Sequence, residues 1–362
     1  MARPKKDKEM EVTEKLDVRA LVNKLNKELE GNCSIKLGAE IPNPFKDRIS
    51  TGSIGLDCVI GGGIPRGGVT QIIGKESSSK TTLAFSIARE VQKRFKENAV
   101  ITYAGIEMAL DVDRARAVGM EINDRVINVT AKNAEAYLTS LKTIIKSNSS
   151  QLIIVDSING LNTYAEQETA FGESIPATRA RIVAKFVREC VWGSQIRDDG
   201  QPNNTSIVII NQFSSKIGGF SPTGEPVEQG GGNALKYAKL LDIQLRSGAP
   251  LKENKDSPPY AKEINYKILK GKAGCHEGGT GMFILMQEDY NGLKKGQIDI
   301  GNEYKTIAST YGVVSRAGAY VKYNEQNYPM DEFERLVRED DEFRSALRAK
   351  ILLAAKVESY DE

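Results

Sequence analysis

The stretch from 69 to 91 constrains the fold of this chain more than any other. An apolar run precedes a short polar segment, and apolar residues spaced three and four apart follow it, which predicts a strand, a tight loop and a helix. This loop nearly fits G-x-x-x-x-G-K-[ST], in which backbone N–H groups at a helix start converge on phosphate oxygens. It predicts nucleotide binding, with Lys80 on the β- and γ-phosphates and Thr81 holding Mg²⁺ through its hydroxyl. The loop reads Gly74-Lys75-Glu76-Ser77-Ser78-Ser79-Lys80-Thr81-Thr82.

One loop position departs from that pattern. Ser79 stands where the second glycine belongs. Glycine is usual where the chain needs unusual dihedrals or a close approach to a ligand. A serine fits there if its φ is negative. Taken alone, these residues also suit a Ser/Lys-rich surface turn, so the interpretation depends on the rest of the chain.

Composition narrows the class of protein. The 362 residues allow two or three domains, and a net charge of only +2 means that nucleic-acid binding must come from local basic surfaces. His276 is the only histidine, which argues against a zinc site or a histidine-based triad. The four cysteines are scattered, as expected of reduced thiols in a cytoplasmic protein. No apolar run is long enough for a membrane span, and we expect no membrane association.

Strands and helices alternate after the loop. Apolar strands are predicted at 99–103, 126–129, 152–155 and 206–210, with helices at 133–146 and 177–194 between them. This alternation predicts an α/β fold whose mostly parallel sheet is covered on both faces. Ligands bind such sheets at the carboxyl ends of the strands. Polar candidates follow four predicted strands there: Gly74, Glu107, Asp156 and Gln212.

These candidates suit nucleotide chemistry. Asp156 ends an apolar strand in the manner of a Walker B carboxylate and would hold the Mg²⁺ shell. Glu107 could orient the attacking water, although an exposed loop acid is the alternative. Gln212 could sense the γ-phosphate and signal to the glycine-rich segment 213–232, which is predicted to be a long loop. The glycine-rich backbone of that segment could wrap a single nucleic-acid strand. A second predicted loop, 166–176, is also long, and two such loops beside a nucleotide site suit a polymer-handling motor better than a small-molecule kinase.

The chain divides into three predicted parts. Residues 1–48 hold a helix at 18–29 and a linker, residues 49–290 form the ATPase core, and residues 291–362 form a small α/β domain. The apolar face of the first helix could dock on a neighbouring subunit or on its own domain. The mixed charges of the last part do not by themselves indicate DNA binding.

Several sequence blocks occur in a specific order along the chain: Ile49–Ser53, Glu76–Ser78 with Lys80–Thr82, Glu107 with Ala109–Asp111, Ile154–Ser157, Asn211-Gln212 with Lys216–Gly218, and Gly231–Lys236. These ordered motifs resemble the bacterial RecA recombinase family and its bacteriophage counterparts over nearly the whole chain. The resemblance implies a P-loop NTPase with a RecA-type core, an N-terminal polymerisation helix, and ATP and Mg²⁺ as cofactors. It also implies helical filaments on single-stranded DNA that pair with homologous duplex DNA, exchange strands and hydrolyse ATP. Mediator and single-strand-binding proteins are expected partners.

The resemblance also implies roles for single residues. Lys80, Glu107 and Gln212 match catalytic positions, and Lys270 and Lys272 match two lysines that reach the neighbouring subunit's ATP. Asp111 and Arg114 fall at adenine-contacting positions, where Arg114 replaces an aromatic residue. The expected ATP and Mg²⁺ ligands are the loop 74–82 with Asp111, Arg114 and Asp156. The expected DNA-binding residues are Ile175, Arg181, Arg188, Lys216, Ile217, Gly231, Gly232 and Asn233.

The departures leave two alternatives open. Ser79 makes a DNA-binding filament with a weak or silent ATPase conceivable, and the core fold is shared with hexameric DNA helicases. The departures, including Gly105 in place of an acid and Pro176 at the end of the first long loop, are typical of a divergent member such as a phage-encoded one.

Overall fold

A computed structural model describes residues 16–29, 35–40, 46–106, 109–160, 176–195, 203–215, 227–229, 232–272 and 274–357. The chain divides into two compact units, Met1–Asn43 and Pro44–Glu362. The described helices are α1 (Val18–Glu28), α2 (Ile54–Val59), α3 (Lys80–Phe95), α4 (Val112–Val118), α5 (Ala134–Ser147), α6 (Pro176–Gln195), α7 (Gly232–Ala238), α8 (Ile300–Thr310), α9 (Met330–Glu339) and α10 (Asp341–Ala354).

The strands of the described residues form one large sheet and two small ones. They are β1 (Arg48–Ile49), β2 (Ile64–Pro65), β3 (Val69–Gly74), β4 (Ile101–Gly105), β5 (Val126–Val129), β6 (Leu152–Asp156), β7 (Ser206–Ser215), β8 (Val227–Gln229), β9 (Leu241–Leu251), β10 (Ala261–Gly271), β11 (Thr280–Met286), β12 (Ser315–Ala317), β13 (Tyr320–Tyr323) and β14 (Gln326–Pro329).

The large sheet has the strand order β11-β10-β9-β3-β7-β6-β4-β5. Pairing is parallel from β9 to β5, whereas β10 and β11 join the β9 edge as antiparallel strands. The predicted fold class, a mostly parallel sheet in an α/β core, is therefore confirmed.

Strand residues alternate between two cores, as expected for a sheet covered on both faces. In β6, Leu152 and Ile154 face the core that holds the apolar side of α3. Ile153 and Val155 face the other core, which holds apolar residues of α5 and α6. This burial explains why β6 is an unbroken apolar run up to Asp156 and why β7 is one from Ile207 to Ile210.

The predicted loop 213–232 is partly wrong. Strand β7 continues to Ser215, so Gln212 lies within it rather than past its end, and β8 pairs antiparallel with it through Phe213 and Gln229. Helix α7 then begins at Gly232. The β7 extension is polar apart from Phe213, and its pairing with β8 depends on a partner strand that strand periodicity cannot predict.

The C-terminal elements have their own apolar core. Helices α8 to α10 and the β12–β14 sheet bury Phe333, Leu347 and Ile351, and the same cluster includes Ile54 and Cys58 of α2. The C-terminal elements therefore pack directly on the segment that leads to the phosphate loop. The division at 290 stays a prediction.

The N-terminal unit contains the predicted first helix. Asp17 caps α1 by accepting hydrogen bonds from the amides of Arg19 and Ala20 at 3.0 and 3.1 Å. The Asn26 side chain holds the following segment through two 2.8 Å hydrogen bonds with the Ile35 backbone. The role of this helix in polymerisation stays a prediction.

Candidate nucleotide-binding site

The phosphate loop links β3 to α3, as the sequence predicts. Gly74 ends the strand, and a Cβ there would lie 2.3 Å from Ser78 Oγ and 2.5 Å from the Leu245 carbonyl oxygen. Only glycine fits so close to a neighbouring backbone. Ser78, Ser79 and Lys80 are all buried at the start of α3. The second half of the loop is therefore packed into the protein, unlike a surface turn, whereas Lys75, Glu76 and Ser77 are exposed.

Ser79 does not have the negative φ that would suit a serine at this position. Its φ is +67° and its ψ is 27°, which is the left-handed region, and Ser77 also has a positive φ of 60°. An L-residue pays about 1 kcal/mol for this conformation, whereas glycine does not. The loop keeps the geometry that its missing glycine would favour, because the residues around it hold the serine in place.

Thr81 and Asp156 form the predicted metal-binding pair. The Thr81 hydroxyl donates a 2.8 Å hydrogen bond to Asp156 Oδ2, and Tyr103 donates to the same oxygen at 3.3 Å. Burial, and then the Asp156 charge, raises the pKa of Tyr103, so its phenol remains a donor. A hydroxyl and a carboxylate at the loop are the hard oxygen ligands that Mg²⁺ takes beside substrate phosphates. The residues present therefore fit the expected ion.

Sheet register explains why these groups meet. Asp156 is paired with Gly105 of β4, and Gly74 is paired with Gln212 of β7. Residues distant in sequence thus arrive at one edge of the sheet. Lys80 lies over this edge and donates from Nζ to the Lys75 carbonyl oxygen at 2.8 Å.

A cleft of about 840 Å³ opens beside the loop; we call it the nucleotide cleft. Arg114 Nη2 donates to Thr82 Oγ1 at 2.5 Å across it. Asp111 caps α4 by accepting from the Arg114 amide at 3.0 Å. The cleft is lined by Glu76, Ser77, Ser79, Lys80, Thr81, Thr82, Asp111, Asp113, Arg114, Ala117, Asp156, Ile210, Gln212, Lys262, Leu285, Met286, Gln287, Lys295 and Gly296.

Other predicted residues lie away from this cleft or outside the described residues. Lys270 donates from Nζ to the Lys236 carbonyl oxygen of α7 at 2.6 Å, and neither it nor Lys272 lines the cleft. Arg181 and Arg188 are exposed on α6. Gly232 and Asn233 begin α7, but the side chain of Asn233 is outside the description. Glu107, Ile175, Lys216, Ile217 and Gly231 also lie outside the described residues.

Sequence reasoning missed several residues of the site. Tyr103 lies inside a predicted strand, where its hydroxyl could not be assigned a partner. Lys262, Met286 and Gln287 come from the antiparallel edge strands and the turn after them. Nothing in a strand pattern shows which cleft an edge strand borders, so only the tertiary structure identifies these residues.

Two features are not found among the described residues. Within the described ranges, no cluster of three or more histidine, cysteine or acidic residues is arranged to hold a metal ion. None of the described helices is long and apolar enough to cross a membrane.

The fold and the loop define a P-loop nucleotide-binding protein with a RecA-type core. The sequence profile of the RecA N-terminal domain matches residues 16–284. Protein RecA of Syntrophus aciditrophicus is 31% identical over 308 residues, covering 82% of this chain and 83% of that protein. Protein RecA of Methylobacterium radiotolerans is 32% identical, covering 86% of this chain and 78% of its own length.

A third relative, Protein RecA of Chlorobaculum parvum, is 28% identical and covers 91% of this chain and 90% of its own length. The chain belongs to the RecA family, whose members bind ATP and DNA in recombination and repair. The resemblance predicted from its motifs is confirmed.

Proposed function

We propose that this chain forms ATP-dependent helical filaments on single-stranded DNA and catalyses homologous pairing and strand exchange. The observation that carries the proposal is the Thr81–Asp156 pair, with its 2.8 Å hydrogen bond at the start of α3. It lies beside a phosphate loop in a chain of the RecA family. This arrangement supports ATP hydrolysis coupled to DNA binding.

The site residues divide the chemistry among them. Lys80 binds the β- and γ-phosphates, and the loop N–H groups and the α3 dipole favour their charge. Bound Mg²⁺ would neutralise charge that develops on the phosphates. Thr81 and Asp156 would hold this ion. Gln212 lines the nucleotide cleft from β7, which continues to the β8 hairpin, so it could report the γ-phosphate to the DNA-binding segment.

Glu107 is the proposed base that orients the attacking water. It follows β4, which is paired with β6 beside Asp156. The variant Glu107→Gln should bind ATP, fail to hydrolyse it and remain on DNA. Normal DNA dissociation of this variant in the presence of ATP would exclude the assignment.

Helix α6 supplies a candidate DNA surface. Arg181, Lys185 and Arg188 are all exposed, and their spacing of four and three residues puts them on one face of the helix. Such a cationic row suits contacts with successive phosphates. Replacing Arg181 and Arg188 with alanine should weaken single-strand binding and reduce its salt dependence by about two counterions.

The lysines Lys270 and Lys272 are proposed to act between subunits. Lys270 rests on the α7 carbonyl oxygens, outside its own chain's nucleotide cleft. Burial, and then the charges of Lys272 and Lys239, lowers the pKa of Lys270. An anionic ligand from a neighbouring copy would relieve this repulsion.

The deciding experiment measures ATP hydrolysis with and without single-stranded DNA, with Lys80→Ala as the control. Stimulation by DNA that is absent in the control supports the proposal, and strand exchange is then the next assay. Closed rings in projection images, in place of open helical filaments, would favour a hexameric helicase.

A second candidate is a DNA-binding filament with a weak ATPase. The left-handed conformation of Ser79 favours this candidate, because serine disfavours that conformation and surrounding contacts must hold the loop in it. DNA binding and filament formation without measurable turnover would select this candidate.

A further inference from the structure

Two side chains from outside the phosphate loop donate hydrogen bonds to one of its carbonyl groups. The Ser77 carbonyl oxygen accepts a 2.9 Å hydrogen bond from Lys262 Nζ and a 3.1 Å hydrogen bond from Ser247 Oγ. Lys262 belongs to β10 and Ser247 to β9. Two neighbouring strands therefore converge on one loop oxygen.

The loop needs such support at this point. Ser77 and Ser79, two residues apart, both have positive φ values, 60° and 67°. Residues other than glycine persist in this region only when their surroundings hold them there. Without external contacts, the serine in place of glycine would favour other loop conformations, in which the N–H groups no longer converge.

The strands place the two donors by different means. Strand β9 pairs in parallel with β3, with Leu245 opposite Gly74, so Ser247 follows two residues beyond the end of β3. In β10, the register with β9 shifts between Lys262 and Ile264. A bulge of this kind re-aims the side chain beside it, and here Lys262 points to the loop.

Lys262 is drawn into the nucleotide cleft by this contact. It is partly buried and lines the cleft beside Ser77. Loss of hydration, and then the charge of Arg114, lowers the pKa of Lys262. If Lys262 extended into solvent, it would keep its hydration and avoid the charge of Arg114. The hydrogen bond to Ser77 therefore offsets the cost of these two effects.

We propose that Lys262 and Ser247 are positioning residues that clamp the Ser77 carbonyl and hold the phosphate loop in its nucleotide-binding conformation. The clamp compensates for Ser79 in place of glycine. The inference rests on the proposed nucleotide binding at this loop. In this proposal, the antiparallel edge of the sheet helps to shape the nucleotide-binding site.

Equilibrium binding of a methylanthraniloyl-labelled ADP with Mg²⁺ tests the clamp. Lys262→Met should raise Kd about tenfold, which equals about 1.4 kcal/mol, and Ser247→Ala should raise it about threefold. Lys267→Met is the matched control, because Lys267 is exposed on the same strand, and its Kd should equal that of the unchanged chain. In the Lys262→Met background, Ser79→Gly should restore Kd to within about twofold.

Amide hydrogen exchange, measured without nucleotide, tests the clamp independently of the proposed function. Amides 75–79 should exchange about tenfold faster in Lys262→Met and at the original rate in Lys267→Met. Faster exchange in a chain that binds no nucleotide would support the clamp and reject the proposed function. Unchanged exchange in a chain that does bind nucleotide would reject the clamp alone.

The double variant Lys262→Met with Ser79→Gly shows whether Lys262 positions the loop or contacts the nucleotide directly. If Lys262→Met weakens binding but Ser79→Gly restores nothing, Lys262 acts on the nucleotide itself and the clamp is overturned. Thermal unfolding of each variant shows that the fold is intact, because a general loss of structure would not be reversed by one glycine.

Discussion

Two regions of the second unit bury charged groups, and they do so differently. In the nucleotide cleft, the half-buried Asp156 faces an open space of about 840 Å³ beside Lys80 and Thr81. In the C-terminal joint, which we define as Ser53, Asp57, Glu303 and Arg348, Asp57 has no exposed surface. One region keeps its carboxylate at a cleft, whereas the other encloses it.

The joint satisfies Asp57 with protein donors. Its two oxygens accept hydrogen bonds from Ser50 Oγ at 2.6 Å, from the Thr51 amide at 2.9 Å and its hydroxyl at 2.7 Å, and from Arg348 Nη1 at 2.7 Å. Such saturation leaves little capacity for a ligand. It shows that a buried carboxylate in this chain marks a structural joint when donors surround it, and a candidate site when it lines a cleft.

The largest expected effect comes from Asp156→Asn, which removes the charge and keeps the shape. Loss of the proposed Mg²⁺-binding carboxylate should reduce ATP hydrolysis at least a thousandfold, equivalent to about 4 kcal/mol of activation free energy. Urea denaturation should show a much smaller change in stability. The matched control is Asp113→Asn, an exposed acid on the rim of the same cleft, for which hydrolysis should change less than about threefold. Similar losses in both variants would contradict a specific role for Asp156.

In the C-terminal joint, Arg348→Met should give the opposite result: a loss of stability with little change in ATP hydrolysis. This change leaves Asp57 buried without its cationic partner, which should lower the free energy of unfolding by about 3 kcal/mol. Hydrolysis below the unfolding temperature should be retained. Arg335→Met breaks an exposed pair with Glu339 and should cost less than about 1 kcal/mol. A marked loss of hydrolysis in Arg348→Met would show that the two regions are coupled.

Glu303 makes the joint sensitive to pH. Its side chain accepts from Ser53 Oγ and the Gly55 amide at 2.5 and 3.0 Å, and burial raises its pKa from 4.5 to about 8. The folded state therefore holds a proton that the unfolded chain loses near pH 4.5. Consequently, the free energy of unfolding should fall as pH rises between these values, by up to about 1.4 kcal/mol per pH unit.

Glu303→Gln removes this titration. Its stability, measured by urea denaturation from pH 5.5 to 8.5, should depend less on pH than that of the unchanged chain. Glu332→Gln, at an exposed position of α9, should leave the dependence as it is. Parallel curves for all three proteins would mean that Glu303 does not titrate in this range.

The smallest effect is expected from Ser79→Gly. Glycine adopts the observed positive φ without strain, so ATP hydrolysis should rise by up to about threefold. A large loss of hydrolysis would instead reveal a role of the serine hydroxyl in the site. The strained backbone of Ser79 would then not be what limits hydrolysis.

Much of the fold follows from local patterns. The helix at 134–147 and the strand at 126–129 lie where apolar spacing predicts them. The helix buries one continuous apolar face, which includes Tyr137, Leu141 and Ile145. The β7 extension to Ser215 and its pairing with β8 were missed, since polar residues in a strand owe their conformation to a partner strand. The site was predicted where strands end in polar residues and missed where edge strands supply Lys262 and Met286.

The sequence by itself determined the chemistry of this protein: the lysine, the hydroxyl and the carboxylate that suit a phosphate and its metal ion, in the order typical of the RecA family. Tertiary structure alone decided how those groups are held. The conformation of Ser79, the convergence of Lys262 and Ser247 on Ser77, and the enclosure of Asp57 all depend on contacts between distant segments. The chemical type of a side chain is a property of the residue itself. Burial and backbone strain arise only when distant segments pack around that residue in the folded protein.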